Sequence, residues 1–190
     1  MMNGLKIKNS FSNFSFKKAI WLAPIAYLVH LIEEASFGFY KWSNKYFNDN
    51  LTFGQWLLFN CILMGIYFLL IIIYNIWPNQ ATGLIVLTAF LTVQFHNAIF
   101  HLFWTIYLGV YSPGVISGLL LYIPFSCIYT LKAYKEHYLT KLSGILIFII
   151  SGFMMWIFFF VLGAIMIITY LIVSGIILVI YYIKNKQTLS

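Results

Sequence analysis

The hydrophobic residues of this chain fall into long runs that are separated by short polar segments. Six runs have about the 20 residues that an α-helix needs to cross the hydrocarbon core of a membrane. They cover residues 18–39, 52–75, 82–108, 114–131, 142–161 and 164–183. The last two form one uncharged stretch, which we divide near Gly163 because a single helix of that length would be about twice as long as the core is thick. The pattern predicts six spans, and five remain possible.

The composition supports a membrane protein. Hydrophobic residues make up 63% of the 190 residues and charged residues only 8%, against roughly 25% charged residues in an ordinary soluble domain. We therefore predict an all-α, polytopic transmembrane helical bundle over residues 18–183. Residues 1–17 would form a basic N-terminal tail, and residues 184–190 a C-terminal tail.

The lysines are distributed unevenly between the two sides of this bundle. With the N-terminus inside, only Lys41 and Lys45 fall on the outer side. The others are Lys6, Lys8, Lys17, Lys18, Lys132, Lys135, Lys141, Lys184 and Lys186. This asymmetry follows the positive-inside rule and predicts that both termini are cytoplasmic. Because the chain is rich in Lys, Asn and Ile and has no arginine, we expect a bacterial protein of the plasma membrane.

The net charge of +7 is explained by lysines that flank membrane spans. No basic run lies in a folded soluble region, so we assign no nucleic-acid partner. The lysines of the N-terminal tail and the lysine that begins the first span favour contact with anionic lipid headgroups. They are Lys6, Lys8, Lys17 and Lys18. The pattern assigns no oligomeric state.

The first span contains His30, Glu33 and Glu34 within an otherwise apolar sequence. A carboxylate in the middle of a membrane costs roughly 2.5 to 3.5 kcal/mol, so two adjacent ones need compensation. The chain has no arginine, and none of its lysines lies within the predicted spans. Protons, hydrogen bonds, water or a bound metal cation must therefore balance the glutamates, which makes this segment a candidate functional site.

Helical geometry groups polar residues of the first and third spans. At about 100° per residue, His30, Glu33 and Glu34 point into one sector of the first span. Asn97 and His101 are four residues apart and share a face of the third span. Both spans run in the same direction, and these residues lie at similar distances from the inner ends. We therefore predict one polar chamber at mid-depth or slightly toward the outside.

Three more residues are candidates for this chamber. Asn60 reaches a similar level on the second span and is an accessory candidate. His96 is a further candidate metal ligand, although it points about 140° away from His101 on the same helix. Tyr111 lies in the turn between the third and fourth spans, where its hydroxyl can approach the outer mouth of the chamber.

Three motifs in this order resemble the HXXEE family of integral membrane proteins. They are His30-x-x-Glu33-Glu34, Asn97-x-x-x-His101 and Tyr111-x-Pro113-Gly114. The resemblance covers about 85 residues, from the first span to the start of the fourth. It implies an integral membrane protein with a catalytic or metal site and names no substrate.

The leading functional hypothesis is a metal-dependent enzyme within the membrane. His30, His101 and Glu34 would bind a divalent metal, with zinc favoured over iron. Glu33 or Glu34 would act as the general base, with Asn97 as a further catalytic residue. The expected substrate is a lipid, a prenyl chain or a membrane-held peptide, because a chamber at this depth is most easily entered from the bilayer.

Other functions also fit these residues. The paired glutamates could activate water without a metal, as in membrane proteases of the prenyl-endopeptidase type, which are similar in using such a pair. A proton- or cation-coupled carrier would use buried Glu and His that alternate between protonation states. A structural role is the third alternative, although hydrogen bonds between membrane helices contribute only about 0.6 kcal/mol each on average.

Overall fold

The computed structural model describes residues 14–157, 172–179 and 182–183. Its helices are α1 Phe16–Ala19, α2 Leu22–Phe37, α3 Phe39–Phe47, α4 Phe53–Ile76, α5 Gln80–Phe90, α6 Asn97–Leu108, α7 Val115–Ser117, α8 Ile123–Lys135 and α9 Lys141–Ile157. Two π-helical segments, Leu91–His96 and Gly118–Tyr122, connect α5 to α6 and α7 to α8. The described residues contain no β-strand, which confirms the all-α prediction.

Four continuous helices are long and apolar enough to cross a membrane. They are Phe16–Phe37, Phe53–Ile76, Gln80–Leu108 and Val115–Lys135. Their bounds differ from those of the first four predicted spans by at most four residues. The fifth predicted span corresponds to α9, a shorter apolar helix within the described part of the chain. Within the sixth predicted span, residues 172–179 are helical, but half of the span and the turn near Gly163 lie outside the described residues. The count of six and the side of the termini therefore stay predictions.

The first helix differs from its prediction at both ends. It begins at Phe16, whose side chain is fully buried and whose backbone N–H donates to Oε1 of Glu136 at 2.6 Å. Lys17 and Lys18 lie within α1. At the other end, Gly38 has a φ of 71° and separates α2 from α3, because this left-handed conformation is one that glycine adopts readily. Lys6 and Lys8 lie outside the described residues.

Side chains cap two of the long helices at their first turn. Thr52 and Gln55 form a reciprocal capping box at the start of α4. Asn79 and Thr82 form another at the start of α5. Each box satisfies backbone N–H groups that have no partner within the helix. The polar residues between the apolar runs therefore define where the second and third spans begin.

Buried hydrogen bonds connect the first span to its neighbours. The Tyr27 hydroxyl donates to Oδ1 of Asn60 at 2.6 Å, which joins α2 to α4. Nε2 of Gln94 donates to the carbonyl of Ala23 at 2.6 Å, and the Tyr129 hydroxyl donates to Oε1 of Gln94 at 3.2 Å. These contacts hold the first, third and fourth spans side by side.

The third and fourth spans approach each other closely at Gly118. A Cβ atom at this position would lie 3.2 Å from both Cα and Cβ of Ala98. Small residues allow such contact between membrane helices. Gly118 begins the second π-helical segment and Ala98 lies in the first turn of α6. This contact places the start of the fourth span beside the helix that carries His101.

Candidate metal centre

Two histidines and one glutamate form a buried cluster between α2 and α6. His30 and Glu34 are four residues apart on α2, and His101 lies on α6. Oε1 of Glu34 lies 3.4 Å from Nε2 of His30 and 3.4 Å from Nε2 of His101. The side chains are almost inaccessible, with exposed fractions of 2% for His30, 5% for Glu34 and 0% for His101. Ligand atoms of the three residues all lie within 4.8 Å of one another.

Serine hydroxyls fix the orientation of both imidazole rings. Nδ1 of His30 is 2.9 Å from Oγ of Ser117, and Nδ1 of His101 is 2.9 Å from Oγ of Ser112. Both serines are buried. A hydrogen bond at one ring nitrogen sets the tautomer and leaves the other nitrogen for a metal. Both Nε2 atoms face Glu34, which is the arrangement that a shared metal ion requires.

The two contacts of Glu34 have the length expected between ligand atoms of a tetrahedral metal site. Zinc binds imidazole nitrogen and carboxylate oxygen at about 2.0 to 2.2 Å, so ligand atoms at neighbouring corners of a tetrahedron lie about 3.4 Å apart. The two contacts to Glu34 have this length, which is long for a direct hydrogen bond. Nε2 of His101 is buried and has no hydrogen-bond partner within the described part of the chain. The residues therefore fit a divalent metal.

Glu33 lies next to the cluster in sequence but has different partners. Its Oε1 accepts the backbone N–H groups of Gly114 at 3.0 Å and Ile116 at 3.1 Å, and its Oε2 accepts the N–H of Ser117 at 2.6 Å. The Tyr111 hydroxyl also donates to Oε1. Unpaired N–H groups and the helix dipole both favour a carboxylate at a helix start. Glu33 therefore anchors the beginning of the fourth span.

Tyr111 completes this anchor from the loop that precedes the fourth span. Its side chain is 37% exposed, and its hydroxyl donates to Glu33. Partial burial, this hydrogen bond and the charge of Glu33 all raise the pKa of Tyr111 above its ordinary value. The hydroxyl consequently keeps its proton and remains a donor. Tyr111 contacts Glu33 rather than the metal cluster.

Gly114 allows this loop to touch both histidines. Its φ is 107°, a conformation that other residues rarely adopt. A Cβ atom here would lie 2.6 Å from Cε1 of His30 and 2.9 Å from Cε1 of His101, well inside the usual separation of about 3.5 Å between non-bonded carbons. Glycine is therefore required at position 114 for two reasons, the positive φ of the turn and the close contact with both imidazole rings.

His96 and Asn60 differ in their relation to the cluster. His96 packs against α9, where its Nε2 is 3.0 Å from the carbonyl oxygen of Phe148. The structure therefore does not bring His96 to the position expected of a metal ligand. Asn60 accepts from Tyr27 and donates to the carbonyl of Trp56 at 2.8 Å. It joins α2 to α4 and lines the same cavity as His30 and Glu34.

A cavity of about 440 Å³ extends from the cluster between the helices. His30 and Glu34 line it, together with Asn97. The Oδ1 atom of Asn97 is buried and has no hydrogen-bond partner among the described residues. The volume lies within the range of roughly 300 to 1,000 Å³ that is typical of ligand pockets. The cavity thus gives a ligand access to His30 and Glu34.

The cluster lies toward one end of its helices. Glu34 and His101 are each about seven residues beyond the middle of their apolar helices, Phe16–Phe37 and Gln80–Leu108. At 1.5 Å per residue this is about 11 Å. The end in question adjoins the loop that contains Tyr111 and Gly114. The cluster is therefore displaced from the middle of these helices toward that loop.

Ser112 and Ser117 are site residues that the sequence patterns did not single out. Serine is frequent in loops and at helix starts for reasons unrelated to metal binding. The available signal was the position of Ser112 inside the Tyr111–Gly114 motif. Ser117 follows that motif by three residues and carries no comparable signal. Asp49, which also lines the cavity, follows α3 in a polar loop and was likewise missed.

A family model described as "Protein of unknown function with HXXEE motif" matches residues 21–129. The matched region includes the metal cluster, Glu33, Asn97 and the Tyr111–Gly114 loop, and it ends before α9. No curated protein and no solved structure matches the chain significantly.

Proposed function

This chain belongs to the family of proteins of unknown function with an HXXEE motif, and we propose that it is a metal-dependent hydrolase embedded in the membrane. The substrate would be a lipid, a prenyl chain or a membrane-held peptide. The observation that carries the proposal is the convergence of His30, Glu34 and His101 at the end of a ligand-sized cavity.

Zinc is the metal that these residues suit best. Two histidines and one carboxylate, with a fourth position open, form an established catalytic zinc set. The same three ligands can also bind iron on one face of an octahedron. For similar bond lengths of about 2.1 Å, an octahedral site would place neighbouring ligand atoms about 3.0 Å apart. The two 3.4 Å contacts of Glu34 match the tetrahedral value, and binding would draw together the three ligand atoms, which lie within 4.8 Å of one another.

The chain contributes orientation and binding to such a reaction. When bound, the metal would supply a water of lowered pKa and would polarise a substrate carbonyl. Ser117 and Ser112 hold the imidazole rings in place. Oδ1 of Asn97 can accept a hydrogen bond from a substrate O–H or N–H group. Glu33 is engaged by three backbone N–H groups, which argues against its use as a general base.

The setting of the enzyme is part of the proposal. The four apolar helices support an integral membrane protein, and we infer a bacterial plasma membrane as its location. The lysine distribution supports cytoplasmic termini. The basic N-terminal segment would contact anionic lipid headgroups.

Metal analysis of the purified protein tests the proposed function. The full chain is loaded with zinc in detergent, dialysed and measured for metal content beside Glu34→Gln, His101→Ala and His96→Ala. We expect one zinc per chain in the wild type and in the His96 variant, and loss in the other two. Absence of zinc from the loaded wild type would refute the proposal. Proton uptake that disappears in Glu34→Gln, without metal, would instead favour a carrier.

A further inference from the structure

The cavity beside the cluster extends along α4. Its lining on this helix runs from Gln55 to Tyr67, which corresponds to about 18 Å at 1.5 Å per residue. A volume of about 440 Å³ beside a lining of that length has room for an extended hydrocarbon chain.

The two ends of the cavity differ in polarity. Glu34 lies near the end of α2 and Gln55 near the start of α4, and these helix ends adjoin the same connecting segment. Ser43 and Asp49 of that segment also line the cavity and are hydrogen-bonded to each other. The lining farther along is mostly apolar, with Asn60 and Thr92 as polar exceptions. Its apolar members include Leu63, Ile66, Ala89 and Val93. A ligand with a polar head and an apolar chain matches this gradient.

The charge of the lining restricts the head of such a ligand. The cavity is lined by two carboxylates, Glu34 and Asp49, and by no lysine of the described segments. Lys41 and Lys45 on α3 instead lie 5.7 Å and 4.9 Å from the ring centroids of Tyr40 and Tyr46. A divalent metal would neutralise the two carboxylates together and leave no excess positive charge. A phosphate head would therefore add uncompensated negative charge, whereas an uncharged head would not.

Hydrogen bonding at the polar end is compatible with a head that carries donors. Asp49 is an exposed carboxylate at this end and can accept from a ligand hydroxyl. Asn97 also lines the cavity, but its Oδ1 is buried as placed, so a ligand donor would reach it only after the side chain turns toward the cavity.

We propose that the cavity binds an uncharged acyl ester, such as a monoacylglycerol. The head lies at the polar end and the acyl chain runs along α4 toward Tyr67. This inference rests on the proposed hydrolase function. Hydrolysis would form a bond between the water oxygen and the acyl carbon and break the ester bond to glycerol. One proton of the water passes to glycerol, and the other is released as the fatty acid ionises.

Native mass spectrometry of the zinc-loaded full chain tests this inference. The probes are 1-monooleoylglycerol and 1-oleoyl-lysophosphatidate, which share the chain and differ by the phosphate. We expect the glyceride to bind about tenfold more tightly, because like charges disfavour the phosphate. Asp49→Asn should reduce this preference. Equal or tighter binding of the lysophosphatidate by the wild type would overturn the inference.

A pair of tryptophan variants tests where the chain binds. Ile66→Trp introduces bulk into the apolar part of the lining. It should weaken glyceride binding by about tenfold or more, because part of the acyl chain would lose its apolar contacts with the protein. Ile62→Trp is the matched control, because Ile62 is exposed on the same helix and does not line the cavity. Unchanged binding by Ile66→Trp, or equal loss in both variants, would overturn the assignment.

Zinc content measured on the same samples separates this inference from the proposed function. Zinc without glyceride binding would overturn the substrate class and leave the metal site standing. Glyceride binding without zinc would refute the metal-dependent function and leave a lipid-binding cavity. Retained zinc also shows that each variant is folded.

Discussion

Substitution of Gly114 by alanine should weaken metal binding through a direct collision with both histidines. The new Cβ atom would lie 2.6 Å from Cε1 of His30 and 2.9 Å from Cε1 of His101. Restoring a contact of about 3.5 Å requires a shift of about 0.9 Å at His30 and about 0.6 Å at His101. Ligands of a functional site must be held within about 0.5 Å, so both rings would leave the productive geometry.

The expected loss has two separable parts. A residue other than glycine at a φ of 107° costs about 1 to 3 kcal/mol of folding stability. The displaced rings add a loss of zinc affinity, which we estimate at 10- to 100-fold, as for other disturbances of ligand orientation. Zinc affinity is measured by competition with a chromogenic chelator, and stability by thermal unfolding in detergent.

Gly109→Ala is the matched control for backbone strain. Gly109 has a φ of 64°, and a Cβ atom there would meet no heavy atom within 4 Å. This variant should lose stability and keep wild-type zinc affinity. If Gly114→Ala bound zinc as tightly as Gly109→Ala, the proposed contact between the loop and the two rings would be wrong.

Three further predictions concern the residues around the cluster. Glu33→Gln should lower the unfolding temperature by several degrees and keep the zinc stoichiometry. Hydrogen bonds from backbone N–H groups to a carboxylate contribute about 1 to 3 kcal/mol to stability, and each kcal/mol corresponds to about 2 to 4 °C in the unfolding temperature. Loss of zinc without loss of stability would contradict the anchoring role of Glu33. Ser117→Ala and Ser112→Ala should each weaken zinc binding 10- to 100-fold in chelator competition, and wild-type affinity in both would show that the hydroxyls do not orient the rings. Tyr111→Phe should reduce thermal stability less than Glu33→Gln, since it removes one of four donors to Glu33, and a larger reduction would indicate another role for the hydroxyl.

Local spacing and shared depth made the central part of this site predictable. His30 and Glu34 are four residues apart, so any helix places them together. The prediction that His101 joins them required a second step. Its depth on the third span matches the depths of His30 and Glu34 only if the first and third spans run in the same direction. The hydrophobic pattern supplied that direction through the number of intervening spans. The predicted chamber therefore included all three members of the cluster.

The rest of the site depends on structural features that leave no periodic pattern in the sequence. The loop before the fourth span reaches the histidines through the positive φ of Gly114, and no hydrophobic pattern specifies such a path. The π-helical segment ahead of α6 also changes the angular positions that regular helical spacing predicts. His96 ends that segment and contacts α9, a helix whose place beside the third span the sequence did not indicate.

The two adjacent glutamates can be accommodated because they are compensated in different ways. Helical geometry turns their side chains about 100° apart, so Glu33 meets the backbone N–H groups of the fourth span while Glu34 meets the two imidazole rings. Ser117 connects both sites, since its N–H donates to Glu33 and its hydroxyl contacts Nδ1 of His30. A shift of the fourth span would therefore move the support of His30 as well. The His-x-x-Glu-Glu and Tyr-x-Pro-Gly motifs therefore depend on each other structurally. Glu33 fixes the loop and the start of the fourth span, and serines of these segments orient the two histidines that contact Glu34.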